Sequence, residues 1–202
     1  MRIAVYGATG MIGSRVVAEA VARGHEVTGV TRSGGELPAG VTAVQGDAGD
    51  AELTKRVAAN ADVVVSAIGP SRTGGDRRTY LAELRTLVET LGSARILVVG
   101  GAGSLIVDGG RLVDQPGFPD AYKAEALTAA QSLETIRRAP ESLDWVYLSP
   151  APEIAPGERT GTYQTGDDSP AGDFISAEDF AVAIADEIEQ PKHRRARFTV
   201  AS

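Results

Sequence analysis

The first thirteen residues restrict this chain more than the rest of it. Arg2-Ile-Ala-Val-Tyr6 reads as a short apolar strand that runs straight into Gly7-Ala-Thr-Gly10-Met-Ile-Gly13. In such a turn the first glycine permits a sharp reversal, the second lets backbone approach a pyrophosphate, and the third lets the next helix pack on the strand. That helix then offers its unpaired N–H groups to phosphate oxygens. The spacing is GxxGxxG and not the GxGxxG of many dehydrogenases. Glycine spacing alone decides little in a chain with 24 glycines, but its surroundings are informative. Ile12, Val16, Val17, Ala20 and Val21 recur at helical spacing up to Gly24, which reads as a C-terminal cap. Glu26-Val-Thr-Gly-Val-Thr31 then closes a β-α-β unit of about 30 residues, the context a dinucleotide site requires.

The same alternation continues. Apolar runs recur at Ile3 to Tyr6, Glu26 to Val30, Val41 to Val44, Asp62 to Ile68, Arg95 to Val99, Leu143 to Leu148 and Arg197 to Val200. Helical stretches are expected at Met11 to Arg23, Ala51 to Ala59, Arg77 to Leu91, Asp120 to Ala139 and Ala177 to Gln190, the last opened by Ser176 as N-cap. Alternating strands and helices with right-handed crossovers imply an α/β protein, a Rossmann-like doubly wound parallel sheet. The expected strand order is 3-2-1-4-5-6, with a further strand at the edge. No repeat or charged linker divides the chain, so residues 1–202 read as a single domain, consistent with their number. Pro150 to Asp173, rich in proline and glycine, is the one long irregular segment. It reads as a substrate loop or lid, with a plain surface excursion as the alternative.

Composition excludes several classes. Without cysteine there are no disulfides, thiolate nucleophiles or Cys-ligated zinc, and His25 and His193 lack metal-ligand spacing. A net charge of -7 disfavours nonspecific nucleic-acid binding. The basic run Lys192-His-Arg-Arg-Ala-Arg197 then reads as a solvated lead-in to the last strand. No stretch reaches the length of a membrane span, so a cytoplasmic protein with no membrane partner is the default expectation, as a monomer or homodimer.

In such sheets the ligand lies across the carboxyl ends of the strands. After the second strand, where NAD enzymes place Asp or Glu, this chain has Thr31-Arg32-Ser33. Arg32 favours the 2′-phosphate of NADP(H) over NAD(H) through charge-assisted bonds, unless it is only a surface arginine. Asp47, in Gly46-Asp47-Ala48, could accept from the adenine amino group or cap the following helix. After the fourth strand, Ser66-Ala-Ile68-Gly69-Pro70 would let ribose and pyrophosphate lie against main chain, or Gly69 could simply make a turn. Gly100-Gly-Ala-Gly-Ser104 leaves open space for a nicotinamide, with Ser104 a candidate hydroxyl donor or a turn former.

The first half resembles the short-chain dehydrogenases, whose usual Tyr-x-x-x-Lys is absent here. Tyr6, Tyr80, Tyr122, Tyr147 and Tyr163 are followed four positions on by Gly10, Leu84, Ala126, Ala151 and Asp167. Tyr122 is adjacent to Lys123, so the two cannot share a helical face. It is a candidate for substrate contact or acid catalysis, with packing as the alternative. Asp167-Asp168 reads as a solvated turn and Trp145 as core. No esterase elbow or P-loop is present. Reduction of flavin would suit such a site, because the acceptor ring delocalises its own charge and positioning suffices.

With GATGMIG, Arg32, GDAGD at 46–50, PGERTG at 156–161 and ISAEDFA at 175–181, the chain resembles the atypical short-chain dehydrogenase/reductases. Within these it is similar to the NmrA-like and NADH-flavin reductase group, with biliverdin reductase B as a relative. The resemblance implies an NADPH-binding domain that reduces flavin (FMN or FAD) or a quinone-like small-molecule acceptor by direct hydride transfer. By position it implies that Gly7, Thr9, Gly10, Met11, Ile12 and Gly13 meet the pyrophosphate and Arg32 the adenosine phosphate. Asp47 and Ala48 would meet adenine, Ile68 and Gly69 would follow the fourth strand, and Ser104 would stand near the nicotinamide. Arg159 would contact substrate or cofactor, or brace its own loop. A non-catalytic NADP(H)-binding redox sensor, and an epimerase or ketoreductase of a specialised metabolite, are the other readings such a chain admits.

Overall fold

The computed structural model describes residues 1–71, 75–92 and 94–202. Its core is an eight-stranded sheet built by strand-helix alternation. In chain order come β1 (Arg2–Tyr6), α1 (Met11–Ala22), β2 (Glu26–Thr31), β3 (Thr42–Gln45), α2 (Ala51–Ala58), β4 (Val63–Ser66), α3 (Arg78–Thr90) and β5 (Arg95–Val99). A 3₁₀ turn at Ala102–Ser104 leads to the small hairpin of β6 (Ile106–Val107) and β7 (Gly110–Arg111). There follow α4 (Asp120–Arg137), β8 (Trp145–Pro150), β9 (Glu153–Ala155), β10 (Gln164–Gly166), β11 (Phe174–Ser176), α5 (Ala177–Glu189) and β12 (Ala196–Ala201).

The sheet order is β10-β12-β8-β5-β4-β1-β2-β3. Taken in sequence, β3-β2-β1-β4-β5-β8 is the expected 3-2-1-4-5-6 arrangement, and β12 is the further strand beside β8. All of these pair in parallel. The unexpected member is β10, which comes from the segment expected to be irregular and pairs antiparallel with β12.

Both sheet faces are covered, which explains why the strands read as continuous apolar runs. Ile3 and Val5 of β1 face α1 and α5 in one core, with Val16, Val17, Phe180 and Ile184. Ala4 and Tyr6 face the other core, with Leu84, Leu87, Leu133 and Tyr147 from α3, α4 and β8. Each of the Val, Leu, Ile and Phe side chains contributes about 1.5–3 kcal/mol by leaving water. The helix ends follow local chemistry. The Asp50 side chain accepts from the Glu52 and Leu53 N–H groups at 3.0 Å each, Ser176 accepts from the Asp179 N–H at 2.9 Å, and Gly24 turns the chain at φ +79°. No helix among the described residues is long and apolar enough to cross a membrane.

The Pro150–Asp173 segment is not an irregular excursion. β9 pairs with β11, and the chain between β9 and β10 is strapped across α1 and α5. The Gly157 N–H donates to Glu178 at 2.7 Å. Thr160 and the Gly161 N–H donate to the buried Asp179 at 2.7 and 2.8 Å, and the Tyr163 hydroxyl donates to Asp186 at 2.7 Å. Arg159 grips Glu19 of α1 through Nε and Nη2 at 2.7 and 2.8 Å. Glu19 also accepts from Arg23 at 2.8 Å.

Arg159, assisted by Arg23 and against the cost of burial, lowers the Glu19 carboxyl from its ordinary 4.5 to about 2. A depressed carboxyl stabilises the fold fully above its unfolded value and ceases to do so as pH falls through its folded one. Glu19→Gln should therefore cost about 1–3 kcal/mol at neutral pH. The difference from the parent should shrink as pH falls from about 4.5 toward about 2. Urea unfolding across that range checks it, and a pH-independent difference would refute the assignment.

Candidate functional site

The glycine turn is built by backbone crowding. Gly7 has φ +77°, and a Cβ there would lie 2.7 Å from the Ala67 carbonyl oxygen at the end of β4. A Cβ on Gly13 would lie 2.0 Å from the Gly7 carbonyl oxygen. No side chain but hydrogen could occupy that contact, so α1 sits directly on the turn. Gly10 is the N-cap of α1, with no side-chain cap and no acidic residue in the first turn. The first N–H groups of the helix lack intrahelical acceptors and carry the positive end of its dipole. Thr9 and Gly10 are exposed, and Met11 and Ile12 are half-buried. These residues fit a pyrophosphate, whose oxygens need donors and no competing carboxylate.

Arg32 follows β2 and is largely exposed, its Nη1 3.7 Å from Oε1 of Glu83 on α3. Of the two roles open to Asp47, the helix cap belongs instead to Asp50. Asp47 accepts from the Gly49 N–H at 2.7 Å and braces its own turn. Ala48 is buried, Ile68 packs against the core beneath, and Gly69 has open space around it. The turns after β2, β3 and β4 thus lie at the same carboxyl edge of the sheet as the glycine turn. Glu83 is 6% exposed. Its Oε1 is buried without a hydrogen bond, and burial first, then the Asp47 charge, raises its carboxyl above the usual range while Arg32 opposes the rise.

The end of β5 differs from expectation. The glycines after it do not simply leave open space on the α4 side. A Cβ on Gly100 would meet the Tyr147 ring at 2.1 Å, and Cβ atoms on Gly101 and Gly103 would meet Ala129 and Ala126 of α4 at 3.2 and 3.0 Å. They let the 3₁₀ turn press onto α4. Ser104 is buried, and both its hydroxyl and its carbonyl oxygen accept from Nη1 of Arg197, at 3.2 and 3.1 Å. Arg197, itself buried, pairs with Asp168, whose carbonyl accepts from the Ile106 N–H at 2.8 Å.

Two further expectations do not hold. The run Lys192–Arg197 is not a solvated lead-in. Arg195 donates to the Ala139, Pro140 and Leu143 carbonyls beyond α4, His193 bonds Glu187 at 2.8 Å, and only Arg194 of the arginines projects largely into solvent. Asp168 is likewise an ion-pair partner and not merely a turn residue. The usable signal was Arg197 inside an apolar strand, since a buried guanidinium must find a counter-charge. Glu83 gave no such signal, being one charge among several on an amphipathic helix.

Tyr122 is 63% exposed on the first turn of α4, one turn ahead of the Ala126 that Gly103 meets. The structure does not bring it into a hydrogen-bonded pair with Ser104. Arg159, given two readings above, is occupied by Glu19 and braces its loop. Tyr147 is buried, with its hydroxyl 2.9 Å from Ser132 and donating to the Ala129 carbonyl at 3.0 Å. Burial pushes its pKa up, so it is not poised to release a proton.

The Gly13–Gly7 approach yields a direct test. Gly13→Ala places a methyl where backbone oxygen stands, so α1 must lift. Thermal unfolding should show a loss of about 1–3 kcal/mol, and titration should show dinucleotide affinity weakened at least about tenfold. Parent-like values of both would refute this role.

The glycine turn, the uncapped helix and the strand-end turns accord with three comparisons. The profile of the family described as NAD(P)H-binding matches residues 7–191. The chain is 38% identical over 214 aligned positions to YwnB of Bacillus subtilis, covering 100% of this chain and 99% of that protein. Among solved structures it is 43% identical to a candidate exported protein from Burkholderia pseudomallei, with TM-score 0.89 and both chains fully covered. It is 33% identical to a candidate NADH-flavin reductase from Streptococcus pneumoniae, with TM-score 0.89 over 100% of this chain and 99% of that one. A Bacteroides thetaiotaomicron protein named as a candidate epimerase is 34% identical, with TM-score 0.86 over 99% and 96%. With the match spanning nearly its whole length, this chain belongs to the NAD(P)H-binding family.

Proposed function

We propose that the protein is an NADPH-dependent oxidoreductase that reduces a flavin or a related planar acceptor. The observation that carries this reading is the glycine turn, whose backbone crowding and uncapped helix match a dinucleotide pyrophosphate. Arg32, largely exposed after β2, supports selection of the 2′-phosphate. Such a cofactor supplies hydride. The chain's own part is to bind, orient and exclude water.

Support for a planar acceptor comes from the end of β5. Ser104 is fixed by Arg197, Tyr147 is locked in a buried bond network, and no Tyr-x-x-x-Lys pair exists in the sequence. An acceptor that carries its own charge after reduction needs position more than a protein acid. The exposed Tyr122 ring offers a face on which an aromatic acceptor can stack. The resemblance to a candidate NADH-flavin reductase agrees with this choice.

Fluorescence titration should give tighter binding of NADPH than of NADH. Arg32→Ala should weaken NADPH by roughly 10–100-fold and leave NADH within about twofold. Equal affinities in the parent would contradict the Arg32 assignment. With NADPH supplied, FMN or a quinone should be reduced, and no turnover with any such acceptor would overturn the activity. Tyr122→Phe should retain kcat, because the ring face and not the hydroxyl is used, whereas Tyr122→Ala should raise KM. A kcat loss above about tenfold in Tyr122→Phe would instead make Tyr122 the acid.

A further inference from the structure

Among the described residues Glu83 stands apart from the other fully buried acidic residues; Asp144, whose Oδ1 also lacks a donor, is only partly buried. Glu19 is held by Arg23 and Arg159, Asp179 by Thr160 and the Gly161 N–H, and Glu187 by Arg95 and His193. Each of those groups has donors that account for its burial. Glu83 lies on the inner side of α3, its side chain 7% exposed, and its Oε1 accepts nothing. A buried acceptor without a donor is costly, and natural folds keep few of them.

Its neighbours come from the turns after β2 and before α2. Nη1 of Arg32 is 3.7 Å from Oε1, beyond hydrogen-bond reach. Its Cγ lies 3.9 Å from where a Cβ would stand on Gly49. Asp47, in the turn before α2, adds a like charge, and Arg32, after β2, an opposite one. Tyr80, on the same helix, feels the Glu83 charge in turn. Oε1, without a hydrogen-bond donor, therefore sits covered under the side chain expected to meet the 2′ position of the ribose, and a ligand that draws Arg32 aside would reach it.

Resting on the reading of Arg32 as the 2′-phosphate contact, we propose that Glu83 is a proton-dependent selector of the adenosine 2′ substituent. Neutral, it donates its O–H to a 2′-phosphate oxygen held by Arg32. Ionised, it accepts from the 2′-hydroxyl of NAD(H). The proton comes from solvent. A phosphate brought beside Glu83 and Asp47 adds negative charge, which favours the neutral carboxyl, so NADPH binding takes up a proton. Raising the pH removes that proton and sets carboxylate against phosphate, so preference for NADPH over NADH declines.

The test is the ratio of NADH to NADPH dissociation constants between about pH 5.5 and about pH 8.5 in the parent and in Glu83→Gln, whose amide always offers a donor and never charges. Ionisation of the 2′-phosphate itself is common to both proteins. The parent's preference for NADPH should fall at least about tenfold more across this range than the variant's. Calorimetry near about pH 7.5, where the free phosphate is mostly dianionic, should give NADPH-binding heats that depend on the buffer's ionisation enthalpy, with the sign of proton uptake. Parallel pH profiles overturn the proposal, as do buffer-independent heats. The calorimetric result decides the matter if Glu83→Gln fails to fold. If Arg32→Ala weakens NADPH selectively while the profiles are parallel, only the Glu83 assignment falls. If Arg32→Ala affects both cofactors equally, the Arg32 reading falls and takes this one with it.

Discussion

The contact on which the rest depends is the approach of α1 to the β1 turn, where a Gly13 side chain would have to pass within 2.0 Å of the Gly7 carbonyl oxygen. That approach sets the start of α1 over the end of β1, so its unpaired N–H groups lie at the carboxyl edge of the sheet. It also fixes the β-α-β crossover that makes β2 parallel to β1. Because β1 lies between β2 and β4, an error of position there would pass to both halves of the sheet. Close-packed interiors transmit such displacements because they have little void to absorb them.

Around this rigid centre the protein holds its periphery with paired charges. The strap between β9 and β10 has few apolar anchors of its own, and it is secured by bonds to Glu19, Glu178, Asp179 and Asp186 on α1 and α5. Arg197 secures Ser104 and Asp168 in the same manner at the other face. Such groups are stable in a dry setting only because each charge meets a partner. Glu83 departs from that rule in part: it faces Arg32 at 3.7 Å, but its buried Oε1 accepts no hydrogen bond.

Much of the fold was legible in advance. Strands buried on both faces announce themselves as apolar runs, and the β-α alternation with right-handed crossovers leaves few topologies. Gly24 and Ser176 marked helix ends through chemistry local to them. The glycine turn was legible because it is made of backbone, at Gly7, Gly10 and Gly13. The candidate site was less so where side chains converge from distant positions. Gly100 reads as open space until the Tyr147 ring fills the position its side chain would take, and Arg159 reads equally as a ligand contact or a loop brace until Glu19 claims its guanidinium.

The sequence by itself determined the doubly wound sheet, the glycine turn and the presence of a cation rather than a carboxylate after β2. These are properties of short segments, set by periodicity, glycine conformation and residue type within a few positions. The tertiary structure decided which charges are paired. Glu19 with Arg159, Arg197 with Asp168 and Ser104, and Glu83 beneath Arg32 lie 140, 29, 93 and 51 positions apart. Burial and partnership are properties of the assembled layers, so no local pattern distinguishes Glu83, left without a donor, from the solvated charges that share its helix.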